Sequence, residues 1–324
     1  MSTPKAVFLD ASTLDRGDLD LSALAATPFD WQFHATTAAD QTLKRVRGAA
    51  VVVSNKVLLS REMLLQLPEL KLVCVSATGT NNVDLETAAE QGIAVTNVTG
   101  YGTATVAQHT FCLILALTTR LLEYQAAVRR GDWQHSDMFC LMDYPIREVA
   151  GKTLGIVGYG TLGRGVARIA EAFGMQVLLA QRPGGPARPG RLPLHELLPE
   201  VDILTLHCPL TAETENLIGT TELALMRPDA LLINTARGGI VDEQALANAL
   251  REGALGGAGV DVLTREPPDD ANPLLQADIP NLIVTPHNAW ASREARQRLL
   301  DGVTANIRDY LAGGVANRVE RRCR

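Results

Sequence analysis

Leu154-Gly155-Ile156-Val157-Gly158-Tyr159-Gly160-Thr161-Leu162-Gly163 decides how this chain is read. An apolar run of strand length ends in glycines spaced G-x-G-x-x-G, and a helical pattern follows over residues 163–173. In such a turn the first glycine allows the tight bend. The second lets a pyrophosphate approach the main chain, and the third lets helix and strand pack closely. The N–H groups and positive dipole end of the helix then favour an anion. The spacing alone is weak, because glycine-rich turns are common. Here the strand at 153–157, the helix and the next strand at 176–180 stand at the distances of a βαβ unit. Gly158, Gly160, Thr161, Leu162 and Gly163 are therefore the expected dinucleotide-binding residues.

The same rhythm extends both ways. Downstream, short apolar runs at 203–206, 231–234, 259–262 and 282–285 read as further buried strands. Upstream, runs at 6–9, 50–54, 72–76 and 94–97 alternate with helical patterns at 40–46 and 85–91. Strands alternating with helices imply parallel sheets. A long helix is expected over 105–130, leading into an irregular stretch with Trp133, Phe139 and Pro145. It reads as a crossing between domains. A last helix over 293–310 has no further strand to serve and is expected to return to the first domain. The expected fold is α/β, with two doubly wound parallel-sheet domains. A Rossmann domain covers 103–287, and a flavodoxin-like substrate domain is discontinuous, built from 1–102 plus 288–324.

Composition narrows the function classes. The 324 residues carry 30 Lys+Arg against 36 Asp+Glu, a formal charge of -6, which does not attract nucleic acid or an anionic membrane. The five cysteines are scattered, with no CxxC pair, so neither a disulfide framework nor a structural zinc site is expected. The N-terminal segment is too short in its apolar run for a signal peptide. The apolar stretch at 106–122 is broken by Gln108, His109, Thr118, Thr119 and Arg120, and reads as a buried helix. A soluble cytoplasmic protein without a metal site is expected.

Three strand ends carry chemistry. Asn234-Thr235-Ala236-Arg237-Gly238-Gly239 places an arginine between small residues, where its planar fork suits a carboxylate. Glu266 follows the strand at 259–262, before a proline pair. His287, in Thr285-Pro286-His287-Asn288, follows the last strand. Read singly, Arg237 is a surface salt-bridge residue, Glu266 a solvated carboxylate and His287 a hydrogen-bonded polar residue. Read together, at successive strand ends of a nucleotide-binding sheet, they form an anion clamp and an acid/base pair, because a carboxylate beside an imidazole favours the protonated ring and fixes its tautomer. His109, inside an apolar helix, reads as a satisfied core histidine. The tail Arg321-Arg322-Cys323-Arg324 reads as solvated.

These motifs, with HCPLTAET around Cys208, LINTARGGIVDE from Leu231, GVDVLTREPP from Gly259 and TPHNAW from Thr285, resemble those of the D-isomer-specific 2-hydroxyacid dehydrogenases. The resemblance runs from Ser54 to about Tyr310 and is strongest to the branch acting on hydroxypyruvate and glyoxylate. It implies an NAD(P)-dependent oxidoreductase that interconverts these oxo acids with D-glycerate and glycolate. Arg237, Glu266 and His287 are then catalytic. Backbone N–H groups in the Ser54-Asn55-Lys56 turn and in Ala77-Thr78-Gly79 are expected to meet the substrate carboxylate, with Arg237. Further cofactor contacts are implied at Thr78, Thr105, His207, Cys208, Pro209, Thr235, Asp261, His287 and Trp290. The cofactor and the acid would lie in a cleft between the domains, and the molecule would be a homodimer formed through the helix after Thr105. Formate-specific members are expected to carry Gln where this chain has Glu266. Two alternatives stay: a nucleotide-sensing interaction protein of the corepressor type, which would keep the same motifs, and a same-family enzyme for another 2-oxo acid.

The choice of dinucleotide rests on Gln181 and Arg182, at the end of the strand after the glycine turn. An NAD-selective site places Asp or Glu there. Gln181 can bond a ribose hydroxyl but carries no charge to repel a 2′-phosphate, and Arg182 can pair with one. Arg188 and Arg191 add to the positive loop. NADP(H) is expected to be favoured, with NAD(H) possible.

Overall fold

The computed structural model describes residues 3–319, so the Arg321-Arg322-Cys323-Arg324 tail lies outside the described residues. The chain divides into two compact units. One takes the chain up to Gly102 and again from Trp290, and the other is Thr103–Ala289.

In the first unit, β1 (Lys5–Phe8), β2 (Asp30–Phe33), β3 (Ala49–Ser54), β4 (Leu72–Val75) and β5 (Ala94–Thr96) form one sheet. It is parallel throughout, in the order β2-β1-β3-β4-β5, the flavodoxin-like arrangement. Alternate residues face opposite layers. Val7, Leu9, Val52, Val73 and Val75 share one core. Phe8, Val51, Val53 and Leu72 share another with Leu299, Leu300, Val303 and Ile307 of the helix Arg293–Leu311. Both faces are covered, so these strands read as continuous apolar runs. The exception is β2, which the sequence does not announce. It pairs only with β1 at the sheet edge, and Trp31 stacks on Phe33 at 5.5 Å between ring centroids. An edge strand of four mostly exposed residues carries no apolar run.

In the second unit, β6 (Thr153–Val157), β7 (Gln176–Leu179), β8 (Ile203–Leu206), β9 (Leu231–Asn234), β10 (Gly257–Val260) and β11 (Leu282–Val284) lie in the order β11-β10-β9-β8-β6-β7. Leu192 makes a single parallel bridge to Ala180, beyond β7. Counting that position as a strand gives the 3-2-1-4-5-6 order of a dinucleotide-binding fold, with one strand added. Leu154, Ile156, Leu231 and Ile233 face the layer of helices Thr103–Thr119 and Thr161–Ala172. Leu204, Leu206, Leu232 and Val260 face the layer that includes helix Glu243–Arg251.

The long helix expected over 105–130 is two helices. Thr103–Thr119 and Leu121–Arg130 meet at a 57° bend. Arg120 sits there at φ 54, a left-handed conformation that ends a right-handed helix, and its guanidinium donates to Glu123 and to Asn281. The apolar pattern runs on across the bend, so periodicity does not reveal it. Among the described residues no single helix is long and apolar enough to cross a membrane.

Candidate active site

Two glycines of the turn meet a steric requirement in this structure, and the third faces open space. Gly158 has φ +96, and a Cβ there would lie 2.5 Å from the His207 carbonyl carbon. A Cβ at Gly163 would lie 2.2 Å from the Gly158 carbonyl oxygen, so helix and turn touch through main chain. A Cβ at Gly160 would meet nothing within 4 Å. The space above the N-terminus of the 12-residue helix Thr161–Ala172 is therefore open, and no side chain caps that end. Room for an anion against uncapped N–H groups fits a dinucleotide pyrophosphate.

Next to this turn, His207 is buried, with Nε2 3.0 Å from Thr205 Oγ1. Burial lowers its pKa from the ordinary 6.5 to about 4, so the ring is neutral. Burial pushes the Cys208 thiol up to about 11 and the Cys74 thiol to about 12, which leaves neither as a thiolate near neutral pH. Pro209 O accepts from Thr214 Oγ1. Thr235 is buried and lies 3.1 Å from Thr110, hydroxyl to hydroxyl.

At the carboxyl ends of β9, β10 and β11 the structure builds the rest. His287 Nδ1 is 2.6 Å from Glu266 Oε2, and Glu266 Oε1 accepts the Leu263 N–H at 2.9 Å. The carboxylate is thus anchored to its own loop while it holds the imidazole through Nδ1. Glu243 fastens that loop from below, accepting the Thr264 N–H at 2.6 Å and the Asn272 side chain at 2.8 Å. Arg237 is exposed, with Nη1 donating to Ala236 O at 2.7 Å. The buried Asn234 shapes its turn, donating to Arg237 O and accepting from the Ala236 N–H. Gly238 locks the arginine turn against the glutamate loop, since a Cβ there would lie 2.0 Å from the Leu263 carbonyl.

The first unit holds the remaining candidates. The Ser54-Asn55-Lys56 turn does not offer its N–H groups outward. The Asn55 and Lys56 N–H groups donate to the Asp10 carboxylate at 2.9 and 2.7 Å. Asn55 Nδ2 donates to Thr13, and Ser54 Oγ bonds within the turn to Val57. In this structure the N–H groups of the turn expected to meet the substrate carboxylate, Ser54-Asn55-Lys56, are held at 55 and 56 by Asp10. The signal for Asp10 was a polar residue directly after an apolar strand. In Ala77-Thr78-Gly79, the Ala77 carbonyl accepts from Val98 N–H and the Thr78 carbonyl from Asn97 Nδ2. Trp290 stands edge-on to Tyr101 at 6.2 Å.

The Gln181 amide is engaged within its own loop. Its Nε2 donates to the Gly185 and Pro186 carbonyls, and its Oε1 accepts the Arg188 N–H at 3.1 Å. Both ends of the amide close the 182–188 loop, so in this structure Gln181 organises the basic loop instead of presenting a free amide. Arg191 bonds Ala180 O and lies over the Tyr159 ring. Arg182 is exposed. Thr105 Oγ1, another expected cofactor contact, donates to Ala289 O at 3.0 Å. Asp261 is 1% exposed, and its carboxylate accepts from Thr285, Asn288 and Ala289.

Comparison with known proteins bears on the family and the fold. The profile of the D-isomer specific 2-hydroxyacid dehydrogenase NAD binding domain matches residues 111–289. A glycerate dehydrogenase of Methylorubrum extorquens is 46% identical over 319 residues, covering 98% of this chain and 99% of that one. A hydroxypyruvate reductase of Blautia hydrogenotrophica is 38% identical over 323 residues, covering 98% and 100%. A solved structure of an NADPH-dependent glyoxylate/hydroxypyruvate reductase from Sinorhizobium meliloti, with NADP and malonate, superposes with a TM-score of 0.81 at 28% identity, covering 100% of both chains. With its two parallel-sheet units and its glycine turn, this chain belongs to the D-isomer specific 2-hydroxyacid dehydrogenases.

Proposed function

We propose that the protein reduces hydroxypyruvate or glyoxylate to D-glycerate or glycolate, and runs the reverse oxidation, with a nicotinamide dinucleotide. The observation that carries this reading is the 2.6 Å contact between His287 and Glu266, set beside the Arg237 turn in a member of this family. Relatives that bear the names glycerate dehydrogenase, hydroxypyruvate reductase and glyoxylate reductase support the choice of acid.

The roles follow from the atoms. Arg237 pairs with the substrate carboxylate and polarises the neighbouring keto oxygen. His287 donates to Glu266 through Nδ1, so the proton it delivers to the carbonyl oxygen leaves from Nε2. Glu266 stabilises the imidazolium before that transfer and holds the ring's orientation throughout. In oxidation His287 Nε2 takes the hydroxyl proton instead. The residues that would hold the dinucleotide are the Gly158–Gly163 turn with Thr161 and Leu162, then His207, Cys208, Pro209, Thr235 and Asp261. When bound, the dinucleotide supplies the hydride for the carbonyl carbon. In the first unit the Ala77-Thr78-Gly79 loop is the part read as meeting substrate.

NADP(H) is read as favoured and NAD(H) as accepted, because position 181 carries no charge and Arg182 stands exposed beside it. The domain roles are those of a dinucleotide-binding unit around β6–β11 and a substrate unit around β1–β5. The protein is read as a cytoplasmic homodimer. Phe139, Met142 and Ile146, after the Leu121–Arg130 helix, are 92%, 70% and 62% exposed, an apolar surface suited to a second copy. The decisive experiment is kcat/KM for both oxo acids with NADPH and with NADH. No turnover of either acid with either cofactor would overturn the reading, and a strong excess for NADH would overturn the cofactor preference alone.

A further inference from the structure

The loop that presents His287 is wrapped around one buried carboxylate. Three successive backbone N–H groups donate to Asp261: His287 N to its main-chain oxygen at 2.8 Å, Asn288 N to Oδ1 at 3.0 Å and Ala289 N to Oδ2 at 3.0 Å. His287 takes φ 51, a left-handed conformation uncommon outside glycine, so this backbone must be held from outside. The rotation of the Asp261 carboxylate is in turn set by Thr285, whose Oγ1 donates to Oδ1 at 2.6 Å.

Behind Thr285 stands His109, with Nε2 3.0 Å from Thr285 Oγ1. A hydroxyl has one proton, and here it goes to Asp261. Thr285 Oγ1 must therefore accept from His109, which assigns a proton to Nε2. The chain of donors has one direction, His109 to Thr285 to Asp261. One turn earlier on the same helix, Thr105 Oγ1 donates to Ala289 O at 3.0 Å. The helix Thr103–Thr119 thus grips both ends of the five-residue 285–289 loop, with His287 at its centre. Thr105 and His109 are four apart and share a helix face.

We propose that His109 is a positioning residue: through Thr285 Oγ1 it aims the Asp261 carboxylate at the backbone that presents His287. The proposal rests on the reading of His287 as the proton donor, but its structural half is measurable without catalysis. The other carboxylate oxygen, Oδ2, accepts the Ala289 N–H, so both oxygens of Asp261 are turned towards the backbone that follows His287.

The test compares His109→Leu, His109→Gln, Thr285→Val and the His109→Leu/Thr285→Val double variant with the unmutated enzyme. In the cofactor-free protein, amide hydrogen exchange at Asn288 and Ala289 is expected to rise ~10-fold in His109→Leu and Thr285→Val. With hydroxypyruvate, kcat is expected to fall ~3–30-fold while KM for the oxo acid holds, since the Arg237 turn hangs from β9. His109→Gln, which keeps a donor, should restore both readouts. The double variant should be no worse than Thr285→Val alone, because one relay is broken once. Multiplying effects, unchanged exchange at 288 and 289, or failure of His109→Gln to rescue would each overturn the proposal. If His109→Leu does not fold, His109→Gln and Thr285→Val still decide it through exchange. If His287→Ala keeps full activity while the exchange results hold, the proton-donor reading has failed and the relay has not.

Discussion

At the scale of single residues, the pair His287–Glu266 carries the largest expected effect. Replacing His287 by Ala should lower kcat for oxo-acid reduction by ~10²–10⁴, the usual worth of a positioned acid, with little change in the dissociation constant of the dinucleotide. Stopped-flow reduction with cofactor binding followed by fluorescence separates the two, and a variant with unchanged kcat would remove His287 from the chemistry. Arg237→Lys keeps the charge but loses the planar fork, so KM for the oxo acid should rise about 10-fold or more and kcat should fall. A kinetically silent Lys would show that Arg237 does not hold the carboxylate. His207 gives a prediction on stability. Its pKa falls from 6.5 to about 4 on folding, so between those values the unfolded chain binds the proton and the folded chain does not. Stability therefore rises with pH across that window and is lost as pH drops from 6.5 towards 4, by about 3 kcal/mol at most from this group. Thermal melts of the unmutated protein and of His207→Gln from pH 7 to pH 4.5 should converge as pH falls. Parallel curves would show that His207 is not the group responsible.

At the scale of elements, backbone contact joins the two loops proposed to carry the chemistry. The arginine turn after β9 and the glutamate loop after β10 meet where Gly238 packs on Leu263. Gly238→Ala would drive a methyl into that main chain and separate the two loops. It should lower Tm by several degrees, from a clash of about 1–3 kcal/mol, and reduce kcat together with substrate affinity. Circular-dichroism melts and steady-state kinetics check this, and an alanine variant with unchanged Tm and activity would show that the loops do not depend on the contact. The basic loop at 182–191 is organised by the Gln181 amide, so Gln181→Glu would alter loop shape as well as charge. Arg182→Ser is the cleaner probe. It should reduce kcat/KM with NADPH and leave the NADH value nearly unchanged, and an equal loss with both cofactors would deny Arg182 a role in 2′-phosphate recognition.

At the scale of the whole molecule, the proposed homodimer would cover the exposed apolar residues after the Leu121–Arg130 helix. Sedimentation should give about twice the 34.8 kDa of one chain, and a Phe139→Asp/Met142→Asp variant should sediment as a monomer. A monomeric unmutated protein would overturn the homodimer reading.

Both sheets were legible because strands buried on two faces must be apolar throughout, and the glycine turn was legible because Gly158 and Gly163 pack against main chain while Gly160 leaves space open. The residues at the strand ends could be picked out from position alone, since a parallel sheet gathers the ends of its strands. The sequence by itself thus determined the fold class, and it marked the glycine turn and the side chains Arg237, Glu266 and His287 as candidates. It did not determine which polar groups face inward. Asn55, Gln181, Asp10, Asp261 and His109 are all polar residues near strand ends or on a helix, and nothing in their spacing separates a loop clamp from a ligand contact. β2 and the bend at Arg120 were hidden for a related reason: an exposed edge strand has no apolar run, and a left-handed residue leaves the apolar pattern intact. Only the tertiary structure decided these points, because a hydrogen bond between residues 109 and 285, or 10 and 56, depends on where the folded chain returns.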